Sequence, residues 1–275
     1  MPPGDGPVSG PGISAVVLTL NEANHIVPCL RTLQWADEQI VVDGGPDGGS
    51  WDDTRSLAEQ MGARVLMHPW DGWAAQRNFA LSQARSAWVL FVDADERVPF
   101  ELADEIRATV ARASQAHDDA SGFWLPRQNL ILGHWVRHAG WHPDYQLRLF
   151  RTDRGRYDPA RPVHELVQLQ GSSERLANHL VHHNYVTWRQ FWTKQRRYAR
   201  DEARQLHAQG TRARPRNLVF QPLRELKRRY VTLGGYKAGP IGLQLSAVLA
   251  AASLSMYLEL SRLGRGLDRT GQPSE

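Results

Sequence analysis

Carboxylates in this chain recur at the ends of apolar runs, where they are costly unless something positive meets them. Trp88-Val89-Leu90-Phe91-Val92 is continuously apolar and ends in Asp93-Ala94-Asp95, with Glu96 directly behind. Such a run suits a strand buried on both faces of a parallel sheet, and two acids one residue apart at its end call for a partner. A divalent cation bridging to a substrate phosphate would be one, because hard cations take oxygen ligands. The plainer reading makes them solvated loop acids paired with Arg97. Thr19, Asn21 and Glu22 follow a first apolar run from Ile13 to Leu18, and Asp43 ends a second, Gln39-Ile40-Val41-Val42.

The elements that must position these residues alternate. Strand-like runs begin near residues 13, 39, 64 and 88, about 25 residues apart, with helical spacing between them at about His25–Gln34, from Ser50 to about Met61, and over Trp73–Ala84. Ser50 and Asp53 read as a weak capping box for the second of these helices, and Gly62 ends it. That rhythm predicts right-handed βαβ crossovers and a parallel sheet. Ligands bind such sheets beyond the carboxyl ends of the strands, which is where Asn21, Glu22, Asp43, Asp93 and Asp95 fall. Gly44-Gly45-Pro46-Asp47-Gly48-Gly49 is turn material; it follows the second strand and lacks both the dinucleotide fingerprint and the P-loop spacing. A nucleotide site here would therefore use carboxylates and a metal.

In order, the motifs are strand–TLNE, strand–VDGG leading to Ser50-Trp51-Asp52-Asp53-Thr54, Ala74-Ala75-Gln76-Arg77-Asn78-Phe79-Ala80-Leu81, and strand–VDADE. Together with GWHPDYQLRLFR (140–151), RPVHE (161–165) and FQPLRELKRRYVTLGGYKAGPIG (220–242), this order resembles the family 2 inverting glycosyltransferases, and within them a lipopolysaccharide inner-core β-glucosyltransferase-like subgroup. The resemblance implies an α/β GT-A fold: a mixed, mainly parallel sheet flanked by helices, with a basic helical C-terminal extension. It implies a UDP-sugar donor, with Thr19, Asn21 and Glu22 lining the nucleotide pocket and Asp43 accepting from the uracil N–H. Asp52 belongs to the same pocket, although the loop before it is roughly four residues longer than the family's V-D-S-G-S-x-D-x-T pattern. Arg77 and Asn78 are placed near the pyrophosphate, Arg77 being equally able to pair with Asp93 or to stand as a solvated helical residue. Asp95 would ligate Mg²⁺ or Mn²⁺, and Asp93 would contact the ribose or the ion. Asp144 lies in a stretch like the one that carries the base in relatives, with Arg148 one residue early; Glu165 is the alternative.

The chain has 275 residues and a net charge of +4 that hides an asymmetry. Residues 1–179 carry 16 Arg against 23 Asp and Glu, a balance of −7, whereas residues 180–275 carry 17 Lys and Arg against 6 acids, a balance of +11. The basic tail implies an anionic partner. Thr187–Ala208 and Leu218–Tyr230 read as basic amphipathic helices, and Ile241–Leu258 is a charge-free segment near the lower limit for a bilayer span. Docking on an anionic membrane surface is the expectation. A soluble helical subdomain is the plain alternative, and nucleic-acid binding, which lacks a reader motif, is not expected. Phe123, Trp124, Trp135, Trp141 and Tyr145 would suit stacking on sugars; His134, His138 and His142 recur every four residues, but Gly133 and Gly140 argue against the helix a metal site would need. Cys29 is the sole cysteine, which makes a reducing compartment the default. The expected organisation is a disordered leader (1–12), a catalytic domain (13–186, with a nucleotide-sugar half 13–97 and an acceptor half 98–186) and a membrane-associating region (187–275). The expected activity is metal-dependent inverting transfer of a hexose, glucose for preference, to a lipid-linked glycan, the lipopolysaccharide inner core. The work would be done peripherally at the cytoplasmic face of the inner membrane, in an oligomeric state the residues do not specify. Alternatives are a polyprenyl-linked or capsular glycan as product and, from another class, a nucleic-acid-binding or scaffold protein.

Overall fold

The computed structural model describes residues 12–115, 120–158 and 167–266. In chain order the strands are β1 (Ile13–Thr19), β2 (Glu38–Asp43), β3 (Arg64–Met67), β4 (Trp88–Asp93), β5 (Glu96–Arg97), β6 (Ala120–Ile131), β7 (His134–Trp135), β8 (Tyr145–Arg151), β9 (Gly155–Tyr157), β10 (Val167–Leu169), β11 (Ser172–Arg175) and β12 (Leu180–Tyr185). The helices are α1 (Ala23–Arg31), α2 (Thr54–Gln60), α3 (Trp73–Gln83), α4 (Phe100–Ala113), α5 (Trp188–Ala208), α6 (Asn217–Lys227) and α7 (Gly239–Leu263). The chain forms two compact units, one made of residues up to Gln128 with Asp144–His182, the other of Asn129–Pro143 with His183–Glu275.

The first unit is built on a mixed sheet in the order β3-β2-β1-β4-β8-β6-β12-β5. Its β3-β2-β1-β4 half is parallel, and β8 joins β4 antiparallel, with Leu90 opposite Leu149. Strands β1, β2 and β4 are buried on both faces, which is why they read as apolar runs, while β3 at the sheet's edge is only half-buried. Ala15, Val17, Val41, Leu90 and Val92 pack on one side with α1 and α4, and Val16, Ile40, Val42, Val89 and Phe91 on the other with α3. Helix α1 buries Ile26, Cys29 and Leu30, and α4 buries Leu102, Ala103, Ile106, Val110 and Ala113, stripes of helical period facing the sheet. The mixed, mainly parallel α/β arrangement is the one the resemblance implies. Phe123, expected to stack on sugar, is instead fully buried in this core.

The second unit packs α7 against α5 and α6. Thr187 caps α5, its hydroxyl accepting from Gln190 N–H at 3.1 Å. Residues 129–143 belong here because Ile131, Val136 and Trp141 share an apolar cluster with Tyr185, Phe191 and Leu245; the boundary thus begins earlier in sequence than the basic helices. The segment 134–142 is strand and loop, so the four-residue histidine spacing does not align the rings. Helix α7 runs 25 residues, longer than its charge-free centre, and by length and composition could cross a bilayer; a third of its most apolar stretch is buried.

Candidate active site

The ends of β1 and β2 meet at Asp43, which has no exposed surface. One carboxylate oxygen accepts from Thr19 Oγ1 at 3.1 Å and from the Ser50 hydroxyl; the other accepts from Ser50 N–H at 2.7 Å, with Arg55 at 3.7 Å. Gly49 is needed beside it, since a Cβ there would lie 2.7 Å from Oδ2. Ser50 therefore does not cap the following helix; its hydroxyl oxygen instead accepts from Asn21 N–H at 2.8 Å while donating to Asp43. Asn21 adopts φ 59°, a left-handed backbone that Asn tolerates, and its side-chain oxygen takes Trp51 N–H at 3.0 Å. Asp52 accepts from Ala23 N–H at 3.1 Å and Thr54 N–H at 3.0 Å, joining the starts of α1 and α2. Desolvation opposes its charge, yet the Thr54 hydroxyl and these N–H groups hold its carboxyl below the usual range. Glu22 begins α1 without capping it by its side chain, and its own N–H goes to Thr54 Oγ1 at 2.7 Å. Thr19, Asn21, Glu22, Asp43 and Asp52 are thus brought into one hydrogen-bonded cluster at the sheet edge. Asp43 is sealed, with both oxygens taken by Thr19 and Ser50.

At the end of β4 the acids alternate with arginines. Arg148, 8% exposed on β8, grips both oxygens of Asp93, with Nη1 at 3.2 Å from Oδ1 and Nη2 on Oδ2. Its Nη2 also lies 3.5 Å from Glu96 Oε1, which Arg127 approaches at 3.5 Å from the other side. Arg127 continues to Asp144, 2.7 Å from Nη2 to Oδ2, and Gln146 donates to the second Asp144 oxygen at 2.8 Å. Asp93, Arg148, Glu96, Arg127 and Asp144 form a ladder of alternating charge. Burial opposes the Asp93 charge, but Arg148, with Arg77 and Arg127 behind it, holds the carboxyl far below the carboxylate range. Glu96, wholly buried, is pushed up by desolvation and by Asp93 despite the two arginines. Arg97 does not neutralise the acids as the plainer reading required: its Nη1 donates to the Ala94 and Glu96 carbonyls at 2.8 and 2.6 Å. Two residues after Asp93, the Asp95 side chain, 28% exposed against 39% for Asp93, faces Nε2 of His182 on β12 at 3.3 Å.

Helix α3 contributes Arg77 and Asn78. The Arg77 guanidinium lies over the Trp73 and Tyr157 rings at 5.9 and 5.3 Å, where desolvation lowers its pKa against the pull of Asp93 and Glu96. Asn78 clasps the Tyr157 backbone, donating to its carbonyl at 2.8 Å and accepting its N–H at 3.0 Å, so its amide positions β9. Glu165 lies outside the described residues. Arg127, Arg148, Glu96 and His182 are members of the site that sequence reasoning did not assign.

Residues 14–164, more than half of the chain, match the model of glycosyl transferase family 2. The chain belongs to that family. It is 28% identical over 255 residues to the lipopolysaccharide core biosynthesis glycosyltransferase LpsC of Rhizobium meliloti (strain 1021), covering 90% of each protein. It is 42% identical over 104 residues to an uncharacterized glycosyltransferase of Rickettsia felis, covering 38% of this chain and 35% of that protein. Among solved structures it is similar to glucosyl-3-phosphoglycerate synthase of Mycobacterium tuberculosis in complex with Mn²⁺, UDP and glucosyl-3-phosphoglycerate, at 25% identity and a TM-score of 0.35, covering 42% of this chain and 43% of that one.

Open α/β sheets bind ligands beyond the carboxyl ends of their strands, which is where Asp43, Asp93 and Asp95 lie, and carboxylate oxygens are the donors a hard cation takes. Asp93 is held by Arg148, while Asp95 offers a partly exposed carboxylate beside the His182 imidazole. Among the described residues no three His, Cys, Asp or Glu side chains converge, and Asp93 and Asp95 are the carboxylates here that could hold a cation.

Proposed function

We propose that this glycosyltransferase moves a hexose, glucose for preference, from a UDP-sugar to a lipid-linked acceptor with inversion, and that the acceptor is the lipopolysaccharide core, at an anionic membrane surface. The observation that carries the reading is the pair of part-exposed carboxylates at the end of β4: Asp93, 39% exposed and gripped by Arg148, and Asp95, 28% exposed beside His182. The likeness to LpsC over 90% of both chains supports the choice of acceptor. Asp95, with Asp93 beside it, would hold Mg²⁺ or Mn²⁺ through carboxylate oxygens, and the ion would supply charge neutralisation for the departing diphosphate. Thr19, Asn21 and the Asp52-bound start of α1 would line the nucleotide, and Arg77 would meet the pyrophosphate from its place between Trp73 and Tyr157.

Inversion requires one base. The acceptor hydroxyl gives its proton to a carboxylate while its oxygen bonds the anomeric carbon, and the bond from that carbon to the diphosphate oxygen breaks on the opposite face. Asp144 is suited to accept that proton. Each of its oxygens takes a donor, from Arg127 or Gln146, which holds the carboxyl in place, and a carboxylate has lone pairs to spare. Glu165 is the alternative base. A thermal-shift screen of nucleotide-sugars with Mn²⁺ tests the donor site: a UDP-hexose should raise the melting temperature of the wild type and not of Asp95→Ala. Equal stabilisation of both proteins, or of neither, refutes the assignment.

A further inference from the structure

Helix α6 presents a face that the fold leaves uncovered. None of its residues is fully buried, and its outward arc, continued by the wide turn Arg228–Thr232, carries Val219, Phe220, Leu223 and Val231. Phe220 is 66% exposed and the other three are each more than half exposed. At about 100° per residue these side chains share one half of the helix circumference with Arg216, Arg224, Lys227 and Arg228. The acid of this helix, Glu225, is turned aside to Arg229 at 2.7 Å and reaches Arg228 at 3.4 Å. Contiguous large apolar side chains on a surface mark an interaction site, and cations interleaved with them give the partner its sign.

Charge complementarity selects the occupant. Residues 180–275 carry a balance of +11, so the partner is anionic. A second copy would bring the same cations against themselves across a two-fold axis. A nucleic-acid backbone would meet the cations and gain nothing from the four apolar side chains. An anionic leaflet satisfies both, with acyl chains for the ridge and lipid phosphates for the guanidinium and ammonium groups. Lying on the bilayer also fits α7 better than crossing it: Arg196 and Arg200 of α5 line a groove with Leu258 and Arg262 of α7, and a spanning α7 would draw those charges into hydrocarbon.

We infer that α6 is an in-plane membrane anchor: Val219, Phe220, Leu223 and Val231 enter the headgroup–acyl boundary of an anionic leaflet, and Arg216, Arg224, Lys227 and Arg228 hold its phosphates. This deepens the membrane-surface part of the proposed function and does not depend on the donor site. The test is flotation of the full chain with vesicles of phosphatidylglycerol and phosphatidylcholine at roughly 3:7, against phosphatidylcholine alone. The wild type should float with the anionic vesicles and be released by high salt. Phe220→Ser with Leu223→Ser should lower partitioning about tenfold or more, as expected for two apolar side chains withdrawn from burial. Arg216→Gln, Arg224→Gln and Lys227→Gln together should abolish the preference for anionic vesicles. Both variants should keep the wild-type melting temperature and UDP–Mn²⁺ titration. The inference is overturned if the serine variant partitions like the wild type, if the wild type does not float, or if the serine substitutions split a dimer and leave flotation unchanged. Flotation that persists in a protein unable to bind UDP–Mn²⁺ supports the anchor and refutes the donor-site reading instead.

Discussion

Arg148 holds Asp93 through both terminal nitrogens, joining β8 to the end of β4 inside a region where the arginine is 8% exposed. Removing Arg148 leaves the Asp93 and Glu96 charges without compensation, although water screens part of the loss at the Asp93 side chain, which is 39% exposed. Arg148→Met should therefore lower the unfolding free energy in urea by about 1–3 kcal/mol. Arg148→Lys, which keeps the charge and loses the two-point grip, should recover part of it. A change below about 0.5 kcal/mol for the Met variant would mean that the pair is a surface contact.

The two acids bound by Arg148 should respond to pH with opposite signs. Asp93 has its folded pKa depressed from the ordinary 3.8, so the unfolded chain takes up the proton more readily. Its contribution to stability is present above that value and is lost as the pH falls below it. Asp93→Asn should flatten the acid limb of stability against pH below about 4. Glu96 has its folded pKa raised from 4.5, so the folded state holds the proton better and any stability it gives is lost as the pH rises. Since Gln resembles the protonated acid, Glu96→Gln should cost less at pH 7 than Asp93→Asn, as denaturant melts of the two variants will compare.

For the base, Asp144→Asn should reduce kcat by about 10²–10⁴ while UDP–Mn²⁺ affinity stays within a factor of about two, since proton acceptance is lost and the donor contacts are not. Single-turnover transfer and calorimetric titration separate the two effects. If Glu165→Gln shows the loss and Asp144→Asn does not, the base is Glu165; full activity in both removes each from the role.

Cys29 sits on α1 with its thiol donating to the Asp93 carbonyl at 3.6 Å, and burial, opposed by Arg97 and aided by the neighbouring acids, pushes its pKa up to about 12. A thiol is nucleophilic as the thiolate, so Cys29 should resist a soluble disulfide reagent at pH 8 and react fully once urea unfolds the chain. Rapid labelling of the native protein would show that α1 opens on the timescale of the reaction.

The parallel strands and the tail helices were legible because burial on two faces, or on one helical stripe, writes itself into the spacing of apolar residues. Each of β1 to β4 begins within a residue of its expected place. Helix α4 carried the same kind of stripe, Leu102, Ile106 and Val110, without being assigned in advance. The local grammar misled once: Ser50 three residues before Asp53 has the form of a cap, but the nearer demand was the buried Asp43 carboxylate. What the sequence did not reveal was pairing across long separations. Arg148 looked like a motif residue displaced by one position, and its reason for being there is Asp93. Asn78 resembled a phosphate-side residue, while its amide binds the backbone 79 positions later. His182 lies in no motif at all; only the return of β12 against β5, with His182 opposite Glu96, brings it to Asp95.

Because each arginine in the ladder serves two acids, no member has an energy of its own. Arg127 serves Glu96 and Asp144, and Arg148 serves Asp93 and Glu96, so each single substitution disturbs contacts that another also counts. The summed losses of a one-at-a-time scan should overshoot the loss of a combined variant, by an interaction term of about 0.5–3 kcal/mol for neighbours of this kind. The quantity worth measuring at this edge is the coupling between Arg127 and Arg148, and a double-mutant cycle through Glu96 is the experiment that isolates it.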